Sequence, residues 1–162
     1  MLKIIENMGQ MNHSALMALY EEGNLENAAD LYPDLSEGQA LLRAEQDFYD
    51  YLRHDFFQTP NAFYAVWEEN GEYLSALRLE PYKDGMLLEA LETHPQHRRK
   101  GYAQRLIEAV LANQTRVYSH VGKKNRASLG VHEKCGFRRV SEQATYIDGS
   151  VNSHCCTLLW EK

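Results

Sequence analysis

The sequence predicts an α/β fold of the α+β type, a single domain over residues 1–162 with a mixed central sheet of about seven strands flanked by about four helices. Three observations support this prediction. Residues 62–93 contain three alternating apolar segments separated by turn signals, which is typical of an antiparallel meander. Segments with apolar residues at helical spacing come before and after this meander. A chain of 162 residues is also long enough for one hydrophobic core.

The chain is expected to begin with a strand over residues 2–6. A helix is predicted over residues 12–20, with Asn12 or Ser14 as its N-cap. Residues 23–34 are rich in glycine, asparagine, aspartate and proline, so they are predicted as a loop with at most a short helical turn.

A second helix is predicted to start at Ser36. Ser36 and Gln39 have the spacing of a capping box, and the helical pattern then continues to about Asp55. One face of this helix is expected to carry, on or near it, Leu41, Leu42, Glu45, Phe48, Tyr49 and Leu52.

The meander is defined by its turns. Asn70 and Gly71 form the strongest short hairpin signal, because a type I′ turn needs positive φ at both central residues. A second turn at Lys83, Asp84 and Gly85 leads into a third strand, which extends to Thr93.

The last part of the chain is predicted to alternate helices and strands. A helix begins at Tyr102 and leads to a strand over residues 115–121, which should run parallel to the third meander strand. Asn125 can cap the next helix, and Gly136 suits its C-terminal end, where positive φ is favourable for glycine. Residues 137–160 are expected to close the sheet as a hairpin.

Composition excludes several classes of protein. No apolar run reaches the roughly 20 residues of a membrane span, and the N-terminus lacks the apolar core of a signal peptide. Three cysteines form neither a disulfide framework nor a zinc pattern. We therefore expect no bound metal, and we expect a cytoplasmic location, where thiols stay reduced. The net charge of −6 argues against nucleic-acid binding. Monomer and homodimer both remain open.

One loop combines cations with a small-residue turn. Arg98, Arg99 and Lys100 precede Gly101 and Ala103 in the pattern Arg-x-x-Gly-x-Ala, between a predicted strand and a predicted helix. The first turn of a helix has unpaired backbone N–H groups and a favourable dipole, so an anion such as pyrophosphate fits there. The alternative is a solvated basic loop without a ligand.

A second motif follows 22 residues later, at residues 125–137, and reads Asn-Arg-Ala-Ser-Leu-Gly-Val-His-Glu-Lys-Cys-Gly-Phe. Together the two segments resemble the GNAT acetyltransferase superfamily, with its acetyl-CoA pyrophosphate loop and its Asn-x-x-Ala/Ser helix ending in Glu-Lys-x-Gly-Phe. The resemblance covers residues 60–145, and the element order agrees with a GNAT-like fold. Residues 1–58 match no known motif.

The resemblance implies that acetyl-CoA is the acyl donor. The pyrophosphate would bind the loop, and the pantetheine arm would pair with the end of the preceding strand, where this family has a bulge or splay. The residues expected to bind coenzyme A are Leu91, Glu92, Thr93, Arg98, Arg99, Lys100, Gly101, Tyr102, Ala103, Asn125 and Ser128.

An attacking amine must lose a proton, because its pKa lies near 10. Glu89 is the first candidate for the base, since it lies within the strand beside the expected thioester. Strand alternation would turn Glu92 to the opposite face. Glu92, His120 and a water chain remain alternatives, and Glu89 could also be a salt-bridged residue.

His132 is the candidate donor to the leaving thiolate. The family commonly has tyrosine at this position, seven residues after Asn125, and His132 replaces it as in relatives that resemble phosphinothricin acetyltransferases. An imidazolium is a competent acid, and a neutral imidazole still donates one hydrogen bond. The alternative is a surface histidine, next to a core stripe of Ala127, Val131 and Cys135.

Three functions fit the resemblance. The first is transfer of an acetyl group from acetyl-CoA to the primary amine of a small molecule, by direct attack. The second is acetylation of a protein or peptide. The third is a non-catalytic module that binds acyl-CoA and regulates a partner.

Overall fold

The computed structural model describes residues 1–162 and contains four α-helices and nine strands. The helices are α1 (His13–Leu31), α2 (Glu37–His54), α3 (Tyr102–Leu111) and α4 (Arg126–Lys134). The strands are β1 (Leu2–Ile5), β2 (Phe63–Glu69), β3 (Glu72–Tyr82), β4 (Gly85–Thr93), β5 (Arg116–Gly122), β6 (Arg138–Ser141), β7 (Ala144–Thr145), β8 (Val151–Asn152) and β9 (Cys155–Glu161).

The central sheet has seven strands in the order β1-β2-β3-β4-β5-β9-β6, which confirms the predicted mixed sheet. On one face, side chains of α1 and α2 such as Leu16 and Leu52 pack against Tyr64 and Val66 of β2. On the other face, Leu106 and its neighbours in α3 form the larger core cluster, which α4 also contacts. None of the four helices is long and apolar enough to span a membrane.

The structure confirms the turns and helix caps that short sequence patterns predicted. Asn70 and Gly71 have φ of 52° and 80°, as a type I′ turn requires. Ser36 and Gln39 form the capping box at the start of α2. Gly136 follows α4 with a φ of 92°, the left-handed conformation expected at a helix end.

The hairpin predicted over residues 137–160 is present, and its two strands are joined by a further small ribbon. β6 and β9 pair antiparallel, as expected, and β9 also pairs with β5. The intervening residues form a separate two-stranded ribbon, in which β7 pairs with β8.

The predicted loop over residues 23–34 is wrong, because α1 continues to Leu31. Asn24 and Ala28 are buried at helical spacing, and the Asn24 amide lies against the Met17 sulfur. Burial against α2 outweighs the poor helix propensity of Gly23 and the asparagines. In α2 the buried residues are Ala40, Ala44 and Leu52, whereas Leu42 of the expected apolar face is 68% exposed.

The parallel pairing of β4 with β5 is short. It joins Met86–Leu88 to Val117–Ser119 and then stops, so the two strands diverge towards their C-terminal ends. Ala90 lies just beyond this point with a φ of 52°, and the β3–β4 register shifts there by one residue. This is a β-bulge, and it frees the β5-facing edge of residues 89–93.

The bulge also corrects one prediction about the strand. Glu89 faces Arg78 of β3, and Glu92 faces Ala76, two residues away on the same strand. Residues two apart on a strand share a face, so Glu89 and Glu92 lie on the same face of the sheet. The expectation from simple alternation that they face opposite sides is wrong, because the extra residue changes the alternation.

We expect Gly85→Ala to lower the free energy of unfolding by about 1–3 kcal/mol. A Cβ on Gly85 would lie 2.5 Å from the backbone oxygen of Arg116, where β4 begins to pair with β5. Gly38→Ala in α2 is the matched control, because no atom lies within 4 Å of its added Cβ. It should raise stability by up to about 1 kcal/mol, since alanine favours a helix. Urea unfolding measures both, and equal effects would contradict this packing.

Candidate active site

The divergence of β4 and β5 opens a cavity of about 190 Å³ at the C-terminal end of both strands. Four of its lining residues belong to β4 and four to β5, and the other three are two residues of α4 and its N-cap. The lining residues are Leu88, Glu89, Ala90, Leu91, Ser119, His120, Val121, Gly122, Asn125, Ser128 and His132. Glu89, Leu91, Asn125, Ser128 and His132 were all predicted as site residues from the sequence.

The loop at residues 98–101 lies at the same end of the sheet, because it connects the end of β4 to α3. Arg99 and Gly101 have φ of 62° and 81°, so the backbone turns sharply before Tyr102. The first helical bond in this region runs from the Arg105 N–H to the Gly101 oxygen, and the N–H groups of residues 99–104 donate to no protein atom. This arrangement suits an anion.

Gly101 leaves the approach to these N–H groups open. A Cβ added there would meet no atom within 4 Å. Arg99 and Lys100 are exposed and form no ion pair, so both are free to add positive charge beside the turn. Tyr102 and Ala103 form the first turn of α3 and are partly buried.

Unlike Arg99 and Lys100, Arg98 forms ion pairs with carboxylates of the protein. Its Nη2 lies 2.6 Å from a Glu22 carboxylate oxygen of α1 and 3.4 Å from one of Glu92, and its Nε donates to the Thr93 oxygen at 3.3 Å. Arg98 therefore links α1 to the end of β4. Burial raises the pKa of Glu92, while the Thr93 N–H and Arg98 act in the opposite direction.

His132 is the one buried residue of α4, with 1% of its surface exposed. The alternative of a surface histidine is therefore wrong. Of the predicted core stripe, Val131 and Cys135 pack against the larger core cluster, whereas Ala127 is exposed. The Nδ1 atom lies 2.7 Å from the Ser128 carbonyl oxygen, which can only accept, so Nδ1 carries the proton. Nε2 then accepts from the Ser119 hydroxyl at 2.9 Å.

Burial lowers the pKa of His132, although its bond to the Ser128 oxygen acts the other way. The imidazole is therefore neutral at neutral pH, with both nitrogens bonded to protein groups. Asn125 caps α4 as expected, because its side-chain oxygen accepts from the Ser128 N–H at 3.1 Å.

An ionisable cluster borders the cavity on the α2 face. Glu89 forms an ion pair with Arg78 of β3 at 3.3 Å, so the salt-bridge alternative for Glu89 is present in the structure. Glu80 is almost buried next to this pair, and burial together with the neighbouring Glu89 raises its pKa to about 7. Arg78 and Glu80 were not predicted as site residues from the sequence, although two charged residues among the apolar residues of β3 were a usable signal.

His120 lies beside this cluster without a hydrogen-bond partner. Its Nε2 is buried, and its ring packs edge-on against Tyr82 and Tyr146, at 5.5 and 5.4 Å between centroids. Burial lowers the pKa of His120, opposed by Glu89 and assisted by Lys83. A neutral imidazole with free nitrogens is a suitable proton acceptor.

Comparison with known proteins agrees with this geometry. The model of the acetyltransferase (GNAT) family matches residues 25–137. No curated protein sequence matches the chain. The PaiA N-acetyltransferase of Thermoplasma acidophilum, in complex with coenzyme A, superposes with a TM-score of 0.64 at 10% identity, over 100% of this chain and 99% of that chain.

Two further structures match as well. The spermidine N-acetyltransferase of Vibrio cholerae, in complex with coenzyme A and spermine, has a TM-score of 0.63 at 17% identity, over 99% of this chain and 95% of that chain. The ribosomal-protein-S18-alanine N-acetyltransferase of Escherichia coli has a TM-score of 0.61 at 15% identity, over 99% of this chain and 94% of that chain. At these identities the matches show the fold alone.

We expect Gly101→Val to raise the dissociation constant for coenzyme A at least about tenfold, roughly 1.4 kcal/mol. The added side chain would occupy the space in front of the unpaired N–H groups, and its φ of 81° is strained for valine. Gly149→Val is the matched control, because Gly149 has a φ of 84° and equally open surroundings in a distant turn. Calorimetry measures both, and unchanged affinity in a folded Gly101 variant would contradict binding at this loop.

Proposed function

Because this chain belongs to the GNAT acetyltransferase family, which uses acetyl-CoA, we propose that it transfers an acetyl group from acetyl-CoA directly to the primary amine of a small molecule. One observation carries the proposal. The unpaired edges of β4 and β5 open a cavity at the same end of the sheet as a turn of unpaired N–H groups, so a donor could bind along β4 with its thioester between the strands.

The proposed donor site divides into three parts. The N–H groups of residues 99–103 would hold the pyrophosphate, with Arg99 and Lys100 adding charge. The free edge of β4 at Leu91–Thr93 would hydrogen-bond the pantetheine arm. Asn125 and Ser128, on the opposite wall of the cavity, would contact the same arm or an ordered water.

The acceptor amine must be deprotonated before it attacks the thioester carbon. Glu89, our first candidate from the sequence, has a carboxylate that already pairs with Arg78. Glu92 is bonded to Arg98 and to the Thr93 N–H. His120 has neither kind of partner and lines the same cavity. We therefore propose that His120 accepts the proton and that Glu89 helps to position the ammonium group.

The departing thiolate needs a hydrogen-bond donor. His132 has no free N–H, because Nδ1 donates to the Ser128 oxygen and Nε2 accepts from Ser119. We propose that His132 acts through Ser119: it holds the hydroxyl at the cavity wall, from where the hydroxyl can rotate and donate to the sulfur. His132 is then a positioning residue, and Ser119 makes the contact.

The function is tested by thiol release from acetyl-CoA in the presence of a panel of primary amines and short peptides. Release that depends on a small amine supports the proposal. A clear preference for peptides would instead favour a protein acetyltransferase. Binding of acetyl-CoA without turnover on any acceptor would favour a regulatory module and overturn the proposal.

We expect kcat/KM to fall at low pH as His120 becomes protonated, with a limb below its ordinary pKa of about 6.5 because burial lowers that value. His120→Gln should remove this limb and lower the rate at least about tenfold. His54→Gln, at the exposed end of α2, is the matched control.

Other ionisable groups near His120 could produce a similar pH dependence, so the experiment needs a control for them. Glu80, with a pKa of about 7, titrates in the same range, and Glu89 and Lys83 also act on the imidazole. Glu80→Gln should keep the acid limb. Loss of the limb in Glu80→Gln, or its persistence in His120→Gln, would assign the proton transfer elsewhere.

We expect His132→Phe to lower kcat about tenfold or more while leaving the dissociation constant of coenzyme A nearly unchanged. Ser119→Ala should have a similar effect, because both changes remove the same hydroxyl from its position. The double variant should lose little more than either single variant, since residues that act in one network are not additive. Independent, multiplying losses in steady-state kinetics would show that His132 does not act through Ser119.

A further inference from the structure

A second cavity, of about 380 Å³, lies between α1 and α2 on the same side of the sheet as His120 and Glu89. Its walls are mostly apolar or aromatic, including Tyr20, Phe48 and Tyr51. Its size lies within the range of small-molecule sites, about 300–1,000 Å³. Ala90, the bulge residue of β4, lines both cavities, so a molecule in the larger cavity lies next to the proposed thioester position.

Arg78 is the one cation that lines this larger cavity. Its side chain is 17% exposed, and the guanidinium lies over the rings of Tyr51 and Phe56, at 5.0 and 5.5 Å from the centroids. These rings hold the group in one orientation. A guanidinium has five N–H donors. Arg78 uses its Nε towards Glu89 at 3.3 Å and its Nη1 towards the Tyr64 hydroxyl at 3.5 Å, and Nη2 has no acceptor.

Arg78 keeps N–H groups available for an anion in the cavity, although carboxylates lie near it. Glu89 balances one unit of charge through a single long contact. Glu80 contributes only part of a charge near neutral pH, because its pKa is about 7. Asp47 also lines the cavity, but it accepts a hydrogen bond from Tyr32 and lies 3.8 Å from Arg43. A nearly buried, rigid guanidinium with free donors suits a carboxylate, which it can bind through two N–H groups.

We propose that the acceptor carries a carboxylate as well as its amine, and that Arg78 binds this carboxylate while an apolar side chain fills the α1–α2 cavity. The inference rests on the proposed acetyl transfer and narrows its substrate class to amino acids with apolar side chains and related amino-carboxylates. The Arg78–Glu89 pair then matches the two charges of the acceptor, with the carboxylate at Arg78 and the ammonium near Glu89.

The test compares acceptors that share one side chain: L-phenylalanine, its methyl ester and 2-phenylethylamine, with spermidine as a cationic acceptor. In the unsubstituted protein we expect kcat/KM for L-phenylalanine to exceed that for 2-phenylethylamine about tenfold to a hundredfold, because a charged hydrogen bond is lost in the latter. Equal values, or a preference for spermidine, would overturn the inference without any variant.

Variants then assign the preference to Arg78. Arg78→Gln should reduce the ratio of the two kcat/KM values towards one, whereas a purely structural loss would lower both values alike and leave the ratio intact. Arg53→Gln, an exposed cation in the last turn of α2, should keep the ratio. Turnover with carboxylate-free amines only would refute this inference alone, while the absence of turnover with every acceptor would refute the proposed acetyl transfer itself.

Discussion

The left-handed backbone of Ala90 in β4 is the constraint on which both cavities depend. A bulge adds one residue to a strand and disrupts its pairing, and here β4 and β5 stop pairing two residues before it. The divergence that follows creates the smaller cavity. Ala90 also forms part of the wall of the larger cavity, so one irregular residue separates the proposed donor and acceptor sites.

Helix α1 holds this irregular region in place from the α1–α2 face. The Tyr20 hydroxyl donates to the Ala90 oxygen, and two residues further along α1 Glu22 pairs with Arg98. The same helix therefore contacts the bulge, the loop before α3 and the larger cavity. A non-glycine residue with positive φ is unfavourable by itself, and the Tyr20 bond offsets part of that cost by satisfying the carbonyl that the bulge displaces.

Features set by a few neighbouring residues were accessible from the sequence. The turn at Asn70 and Gly71, the capping box of Ser36 and the loop ending at Gly101 each follow from short patterns with one physical reason. The length of α1 was not accessible, because it depends on burial of Ala28 against another helix. The bulge was not accessible either, since alanine gives no signal for positive φ.

In the site too, residues within one short motif could be predicted from the sequence, whereas contacts between different elements could not. Asn125, Ser128 and His132 were predicted as site residues because they belong to one recognisable motif, the N-cap and helix of α4. All three line the same cavity in the structure. The pairing of His132 with Ser119 and of Glu89 with Arg78 joins residues that are 13 and 11 positions apart on different elements. The first pair depends on how α4 packs against β5, and the second depends on the register of β3 against β4, which changes at the bulge.

The central claim is that coenzyme A binds along the freed edge of β4 and at the turn before α3. Amide hydrogen exchange, measured residue by residue with and without coenzyme A, tests this most directly. The account predicts slower exchange on binding within residues 89–93 and 99–104, with little change at the residues that line only the α1–α2 cavity. Slower exchange confined to the α1–α2 cavity, with the β4 edge and the loop unchanged, would contradict it.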